Sequence, residues 1–581
     1  MHRRRSATME DPRRCVAAPS VGGTSSYSTP CGRASARVHG VGEPNPCHPT
    51  LDLLSSEEHF QIESGPGTSQ SDLKQLPHPV TRNDPRRCVA APSTPRRFGL
   101  LATGLVAASV SLIAAEPDDM PRIPGAVTVC PPWLKKGAPF DVEASFSMPA
   151  ENENAAPLYL DAFAEFSPAV VDCLPASQKG RAEAAEDRSK RLNALNDDLG
   201  DKPASIDRKA ADALLVDLQD GFRKLEAAQR RARCVFAVGL GLDELPPHAQ
   251  AARDVARAIN LRVFRDVDKG ELDRPIDDLA AGFRLGRDLR ARGSFITQIV
   301  SVANDGTLCN STLPTILGSP SLDAEHCDRL IAVLREHEAA GLDRFRTGAK
   351  AEYIMQRAVI HAFEDVGGTA GRRMKRELIL SWLAKDVADA LVGGEEEPAA
   401  PPAMTMEEVD AAFARHGASW ATERAVIGDF YEALAAPEAG TYAERVRRFE
   451  ALSKAHLSGR GAETFWIGRM IIPEYGFLIA SMSRGDLFVR ASECLVAARR
   501  WRSTHAGADP TDLALACKEA KLPGVPIDPF SNAPLRLAVV GGRTVIYSIG
   551  TDGVDDRGLK DSNLGREPAG DILFPLPAAT R

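Results

Sequence analysis

The chain has 581 residues, 43% of them hydrophobic, 26% charged and 6% aromatic, with a formal net charge of −8. At ~150 residues per domain that length admits roughly two to four domains. The 13 Lys/Arg and nine Asp/Glu before Phe98 leave the remainder at −12, so the main body has no concentrated basic face for a phosphate backbone, and nucleic acid is excluded as a partner.

Residues 1–97 are rich in Ser, Pro, Arg and Gly and carry no sustained apolar period, the composition of a segment that cannot bury a core. Within them DPRRCVAAPS occurs at Asp11–Ser20 and again at Asp84–Ser93, with flanks that diverge at once. Residues 1–97 therefore read as a disordered leader, or as mis-assigned upstream sequence with translation starting near Val89. Arg96-Arg97 then precede an uncharged run, residues 98–115 (FGLLATGLVAASVSLIAA). A positive start, an apolar stretch and small residues at the end are the parts of a secretory signal. Cleavage would follow Ala115, although Ile113 is larger than the ideal residue there. The run is also near the lower length limit for spanning a bilayer. A signal peptide and a retained anchor both stay open; either makes the chain exported, periplasmic or membrane-anchored, with membrane contact only through residues 98–115 if uncleaved.

Residues 116–392 form the expected main helical domain and residues 405–484 a second helical segment. Leu215, Leu218, Phe222 and Leu225 step by three and four, as do Ile276, Leu279 and Phe283 after Pro275, which places one apolar stripe per helix toward a core. Thr405 and Glu408 have the spacing of a capping box. Residues 393–404, which begin GGEEEPAAPP, read as an exposed linker. Cys130, Cys173, Cys234, Cys309, Cys327, Cys494 and Cys517 follow the export segment without a C-x-x-C pair, so neither a zinc site nor a thioredoxin-like motif is expected. Cys234 and Cys494 sit among apolar residues and read as small buried hydrophobes. An oxidising compartment permits one or two disulfides, whose pairing the sequence leaves open. The helical body shows no metalloprotease H-E-x-x-H, no Walker loop and no complete dinucleotide fingerprint, and Gly417-Ala418-Ser419-Trp420-Ala421 lacks the second glycine and the strand of a nucleophile elbow. No catalytic residue and no organic cofactor is expected.

Residues 485–581 change character. Leu487, Ala491, Cys494, Ala498 and Trp501 complete a helix stripe, Thr511–Ala520 makes a short helix, and Leu537–Val540 and Thr544–Ile549 flank Gly541-Gly542 as a hairpin. The order of three motifs resembles the major pseudopilin of type II secretion systems. These are Asp528-Pro529-Phe530-Ser531-Asn532-Ala533-Pro534, the run Tyr547–Gly553, and Gly570-Asp571-Ile572. The resemblance implies a helix-plus-hairpin module whose last loop binds Ca²⁺, with Asp552 and Asp571 inheriting a ligand role by motif position and Asp555 and Asp556 as local additions. The hard cation suits such oxygen donors. In that family a hydrophobic assembly helix directly precedes the module, whereas here the apolar run lies hundreds of residues upstream, so the resemblance implies a fold and not pilus assembly. With Asn154–Tyr159 (NAAPLY), the layout also resembles a group of exported proteins of planctomycete-type bacteria, a likeness that implies no activity. The expected fold class is mainly α: a helical-bundle body with a small C-terminal α+β, pseudopilin-like module. The expected function is a non-catalytic envelope protein that binds envelope proteins or acts as a scaffold. Two alternatives stand beside it, an accessory of a secretion or pilus-like system and a hydrolase of unrecognised site.

Overall fold

The computed structural model describes residues 121–240, 246–341, 343–365, 420–436, 440–457, 475–559 and 570–578. The 1–97 leader, the 98–115 export run, the 393–404 linker and the Thr405–Glu408 capping box lie outside these residues. Within them the protein is mainly α-helical with small antiparallel sheets.

The first elements are a two-residue strand β1 (Ala126–Val127) and a short helix α1 (Pro132–Lys135). Helix α2 (Ala156–Phe163) opens with a proline in its first turn, where a missing N–H costs nothing. Asn154 stands just before it and is buried. Its Oδ1 accepts from Ala156 N at 3.2 Å and Val235 N at 2.9 Å, and its Nδ2 donates to Val235 O at 3.0 Å. The NAAPLY segment is thus a joint: Asn154 ties the helix start to a chain segment 81 residues away, and Tyr159 donates to Asp288 at 2.6 Å.

Helices α3 (Arg181–Asp201), α4 (Arg208–Asp217) and α5 (Gln219–Gln229) follow, then strand β2 (Val238–Gly239), which pairs antiparallel with β1. The expected stripe of Leu215, Leu218, Phe222 and Leu225 runs across the α4–α5 junction, where Leu218, Phe222 and Leu225 are buried. Helices α6 (Pro247–Asp268), α7 (Asp273–Arg290) and α8 (Phe295–Thr307) form the centre of the body. Ile276, Leu279 and Phe283 face inward on α7, as their spacing requires. Helix α8 starts at Ser294, whose hydroxyl accepts from Thr297 N, and continues without a break through a π-helical turn (Leu308–Thr312) into α9 (Leu313–Leu317). Then come α10 (Ala324–Ala339), capped by Asp323, α11 (Arg344–Asp365), α12 (Trp420–Leu434) and α13 (Tyr442–Leu457). Helix α13 carries a capping box: Thr441 N donates to Glu444 at 2.7 Å, and Glu444 N donates to the Thr441 hydroxyl at 3.3 Å.

Helix α14 (Tyr475–Thr504) is the longest among the described residues, at 30 residues. Beyond the expected stripe of Leu487, Ala491, Cys494 and Ala498, the helix also buries Val489, Leu495, Val496 and Ala497. Every residue from 491 to 499 is buried, and α8, α10, α13 and α15 (Leu513–Glu519) pack against the helix. Its two halves belong to different apolar cores. Leu478, Ile479 and Met482 join Phe345, Tyr353, Phe430 and Tyr431 in one. Residues from Leu487 onward join the helices of the body, together with Phe530, Ile546 and Phe574 from the chain end, in the other. The boundary between residues 484 and 485 drawn from the sequence therefore falls inside a continuous helix, and the C-terminal segment shares the body's core.

The C-terminal sheet has the order β3-β4-β5, all antiparallel, with β3 (Arg536–Val540), β4 (Arg543–Ser548) and β5 (Ile572–Pro575). Val540 faces Arg543 across Gly541 and Gly542, which have φ of +56° and +77°. Positive φ at both central positions is the type I′ signature of the hairpin turns that match strand twist. The D-P-F-S-N-A-P motif closes on Asp528, whose carboxylate accepts from Phe530 N at 3.0 Å, Ser531 Oγ at 2.7 Å and Ser548 Oγ at 2.8 Å. Phe530 is thereby turned inward against Tyr442 at 4.9 Å between ring centroids. Gly550 follows β4 with φ +67°, and a Cβ there would sit well inside van der Waals contact with the Gly570 carbonyl oxygen. Gly550→Ala is expected to destabilise the sheet by about 2–4 kcal/mol through backbone strain plus this clash. Urea denaturation followed at Tyr547 checks it, and an unchanged midpoint would contradict the close approach of β5.

Candidate functional site

The Asp-rich end of the module is the first candidate. The four residues singled out from the sequence come into one region, where the carboxylates of Asp552, Asp555 and Asp571 have hydrogen-bond partners. Asp571, fully buried at the head of β5, accepts from Gly558 N at 2.6 Å and Asp556 N at 3.3 Å. Burial raises its pKa, the two N–H groups oppose that, and the nearby Asp555 and Asp556 charges add to the rise. Asp555 accepts from Tyr547 Oη at 3.3 Å and Arg557 N at 2.9 Å, and it pairs with Arg536 at 2.6 Å. Asp552 accepts from Val554 N at 3.0 Å and Gly570 N at 2.8 Å, which staples the two ends of residues 552–570. Asp556 Oδ2 is buried with no hydrogen-bond partner. Among the described residues no group of three or more His, Cys, Asp or Glu side chains is placed to hold a metal ion.

The second candidate lies between the two apolar cores, and the sequence analysis did not find it. Arg290, the last residue of α7, is buried with its side chain 2% exposed; Asp305 on α8 and His337 on α10 are at 0%. Arg290 Nε donates to Ser301 Oγ at 2.6 Å, and its Nη2 donates to Asp305 and lies 3.3 Å from His337 Nε2. His337 Nε2 is 3.4 Å from the other Asp305 oxygen. Arg344, which opens α11, approaches Asp305 at 3.7 Å and reaches Asp486 on α14 at 3.5 Å. Ser301 Oγ donates to Gly286 O at 3.0 Å, and Gln298 Nε2 donates to Arg290 O at 2.9 Å. Phe283 stacks on His337 at 4.5 Å between centroids.

The electrostatics follow from this geometry. Burial alone would raise the Asp305 carboxyl, but Arg290, His337 and Arg344 outweigh it and hold the group well below the ordinary carboxylate range. Burial brings Arg290 down to about 10 against the pull of Asp305. Burial also lowers His337, with Asp305 opposing. The imidazole is therefore neutral at neutral pH. Arg290 and Asp305 are closed off from bulk solvent, and Arg344 links them outward to Asp486, whose side chain is 43% exposed.

A signal for this cluster existed. Gln298, Ser301 and Asp305 lie three and four residues apart on α8, whose sequence FITQIVSVANDGT is otherwise largely apolar. A polar stripe of helical period on such a helix must find buried partners. Arg290, His337 and Arg344 come from three other helices, and no spacing in the sequence connects them.

A third feature is a surface groove of about 520 Å³ beside α2 and α3, lined by Asp161, Glu165, Gln178, Arg181, Arg188 and Lys224. Its cations are already matched. Arg181 donates to Asp161 at 2.6 Å, Arg188 to Glu165 at 2.9 Å, and Lys224 to Glu165 at 2.9 Å. An incoming anion would have to displace these carboxylates.

No family model matches the chain, and comparison with curated proteins and with solved structures returns no match.

Asp305→Asn is expected to cost about 3–5 kcal/mol, the range for stranding buried charges whose partner is removed. Because the folded carboxyl lies below its unfolded value, its contribution is present above about pH 4 and is lost as pH falls further. Guanidinium denaturation at pH 7 and pH 3 checks both parts: the gap between wild type and variant narrows at the lower pH. An equal gap at both would mean that the ion network does not act through ionised Asp305.

Proposed function

We infer that the protein is an exported, non-catalytic envelope protein whose helical body is a scaffold and whose C-terminal sheet is the binding element it presents. The observation that carries this reading is the apolar edge of the C-terminal sheet. In the body, Arg290, Asp305 and His337 are sealed from solvent and face one another. The module presents apolar side chains to water: Val539 on the edge strand β3 is 68% exposed, and Val554 and Leu559 on the loop after β4 are 54% and 76% exposed. An edge strand with apolar neighbours is the arrangement that adds a strand or an extended segment from a partner. Export rests on the 98–115 segment, and the envelope partner follows from that compartment.

A photo-crosslinking amino acid at Val539, compared with one at the exposed Val216 of the body, tests the reading in the native host. The expected result is a discrete adduct from position 539 in the envelope fraction. A cytoplasmic location with no adduct at 539 would end it.

The accessory role in a secretion or pilus-like system is the second reading, supported by the order of the three pseudopilin-like motifs. It carries the calcium proposal with it. Asp552 and Asp571, with Asp555 and Asp556, are the carboxylates that would hold the cation; burial raises the Asp571 pKa, the Asp555 and Asp556 charges add to it, and Asp556 Oδ2 lacks a partner. A divalent cation would offset that repulsion. Millimolar Ca²⁺ is expected to raise the melting temperature by a few degrees, and Asp556→Asn should abolish the shift. A shift of equal size with Mg²⁺, or none with Ca²⁺, would remove the site.

A further inference from the structure

The expected disulfide chemistry of an exported chain has no pairing in the sequence, and the fold supplies one. Cys494 lies on α14 and Cys517 on α15, both fully buried in the same apolar core. The two helices pack directly on each other. Near the two cysteines they are held by Arg500, which donates to Glu519 at 3.2 Å, and by the Thr504 hydroxyl, which donates to the same carboxylate at 2.6 Å. Burial pushes the Cys494 thiol well up, and the neighbouring Cys517 thiol adds to the rise. The chain between them is anchored as well: Arg502 pairs with Asp509, and Asp509 accepts from Thr544 of β4 at 2.5 Å.

We propose that Cys494 and Cys517 are the partners of a structural disulfide that fixes α15, and with it the root of the C-terminal sheet, to α14. That it forms in the cell rests on the export reading above; the pairing itself does not. Helix α15 has seven residues, too few to hold as a helix without tertiary support, and it leads through Leu522 into the Asp528 loop. A cross-link there closes a loop of roughly two dozen residues, which restricts the unfolded chain at the point where the module joins the body.

The oxidant is a disulfide, either a small one such as oxidised glutathione or that of a thiol–disulfide oxidoreductase. One cysteine thiolate attacks a sulfur of that disulfide, forming a mixed disulfide and releasing one thiol of the oxidant. The second cysteine then attacks the protein sulfur of the mixed disulfide and releases the other thiol. Two electrons and two protons thus pass from the cysteines to the oxidant. The step belongs to folding, before α15 docks, because in the folded protein both sulfurs are closed off from solvent.

Peptide mapping of the full chain without reduction tests the pairing. The protein is produced once in an oxidising compartment behind an efficient signal and once in a reducing cytosol, and free thiols are alkylated before trypsin digestion. In the oxidised protein the peptides Ala491–Arg499 and Ser503–Lys518 are expected as one cross-linked species, which separates on reduction. Recovery of both peptides singly alkylated, or either one linked to another cysteine, overturns the proposal. The second readout is hydrogen exchange at α15: reduction should accelerate it at least ~10-fold in the wild type and leave Cys517→Ser unchanged. Mapping the chain from its native host separates the two readings. A link formed in the engineered oxidising compartment but absent in the native cell keeps the pairing and defeats export.

Discussion

One buried carboxylate decides how the helices of this protein meet. Asp305 receives Arg290 from α7, lies against His337 from α10 and faces Arg344 from α11, which in turn reaches Asp486 on α14. Taking such ions out of water costs several kcal/mol each, so the cluster is tolerable only because its members are matched in charge and direction. Hydrophobic burial is non-directional and would accept several registers of these helices. The ion network accepts far fewer, since each guanidinium must aim at one oxygen. Its position at the seam between the two apolar cores makes it the element that registers one core against the other.

Helix α14 carries that registration to the chain end. Its first half closes one core, its second half fills the other, and Arg499 from this second half donates to the carbonyls of Leu317, Ser319 and Leu322 beyond α9. The sheet rests on this helix through Phe488 and Phe574, at 6.2 Å between ring centroids. A resemblance confined to the chain end suggested a separable unit. Physically the unit is not separate, because its apolar face is completed by helices of the body.

Much of the local structure was legible. The Gly541-Gly542 turn, the short helix before the module and the apolar stripes on α5 and α7 all follow from backbone freedom and helical period, which act over a few residues. Cys234 and Cys494 are buried as their apolar neighbours required. The motif residues were legible in another way. Asp528 and Asn154 stood out by pattern alone, and each proves to be a buried polar hub whose partners lie far along the chain, at Ser548 and Val235.

The limits of that reading are physical. A stripe of Leu487, Ala491, Cys494 and Ala498 shows one face, but how many neighbours surround a helix is a property of packing, and α14 is buried on all faces from residue 491 to 499. The Gln298–Ser301–Asp305 stripe marked a need for partners without naming them. By itself the sequence determined the helical class, the hairpin, the acidic loop and an expectation of export, because composition and short-range periodicity encode these. Only the tertiary structure decided that Asp305 is shared by four helices, that the C-terminal sheet belongs to the body's core, and that Cys494 and Cys517 share that core. Those are contacts between distant residues, and their energies exist only once the chain has folded.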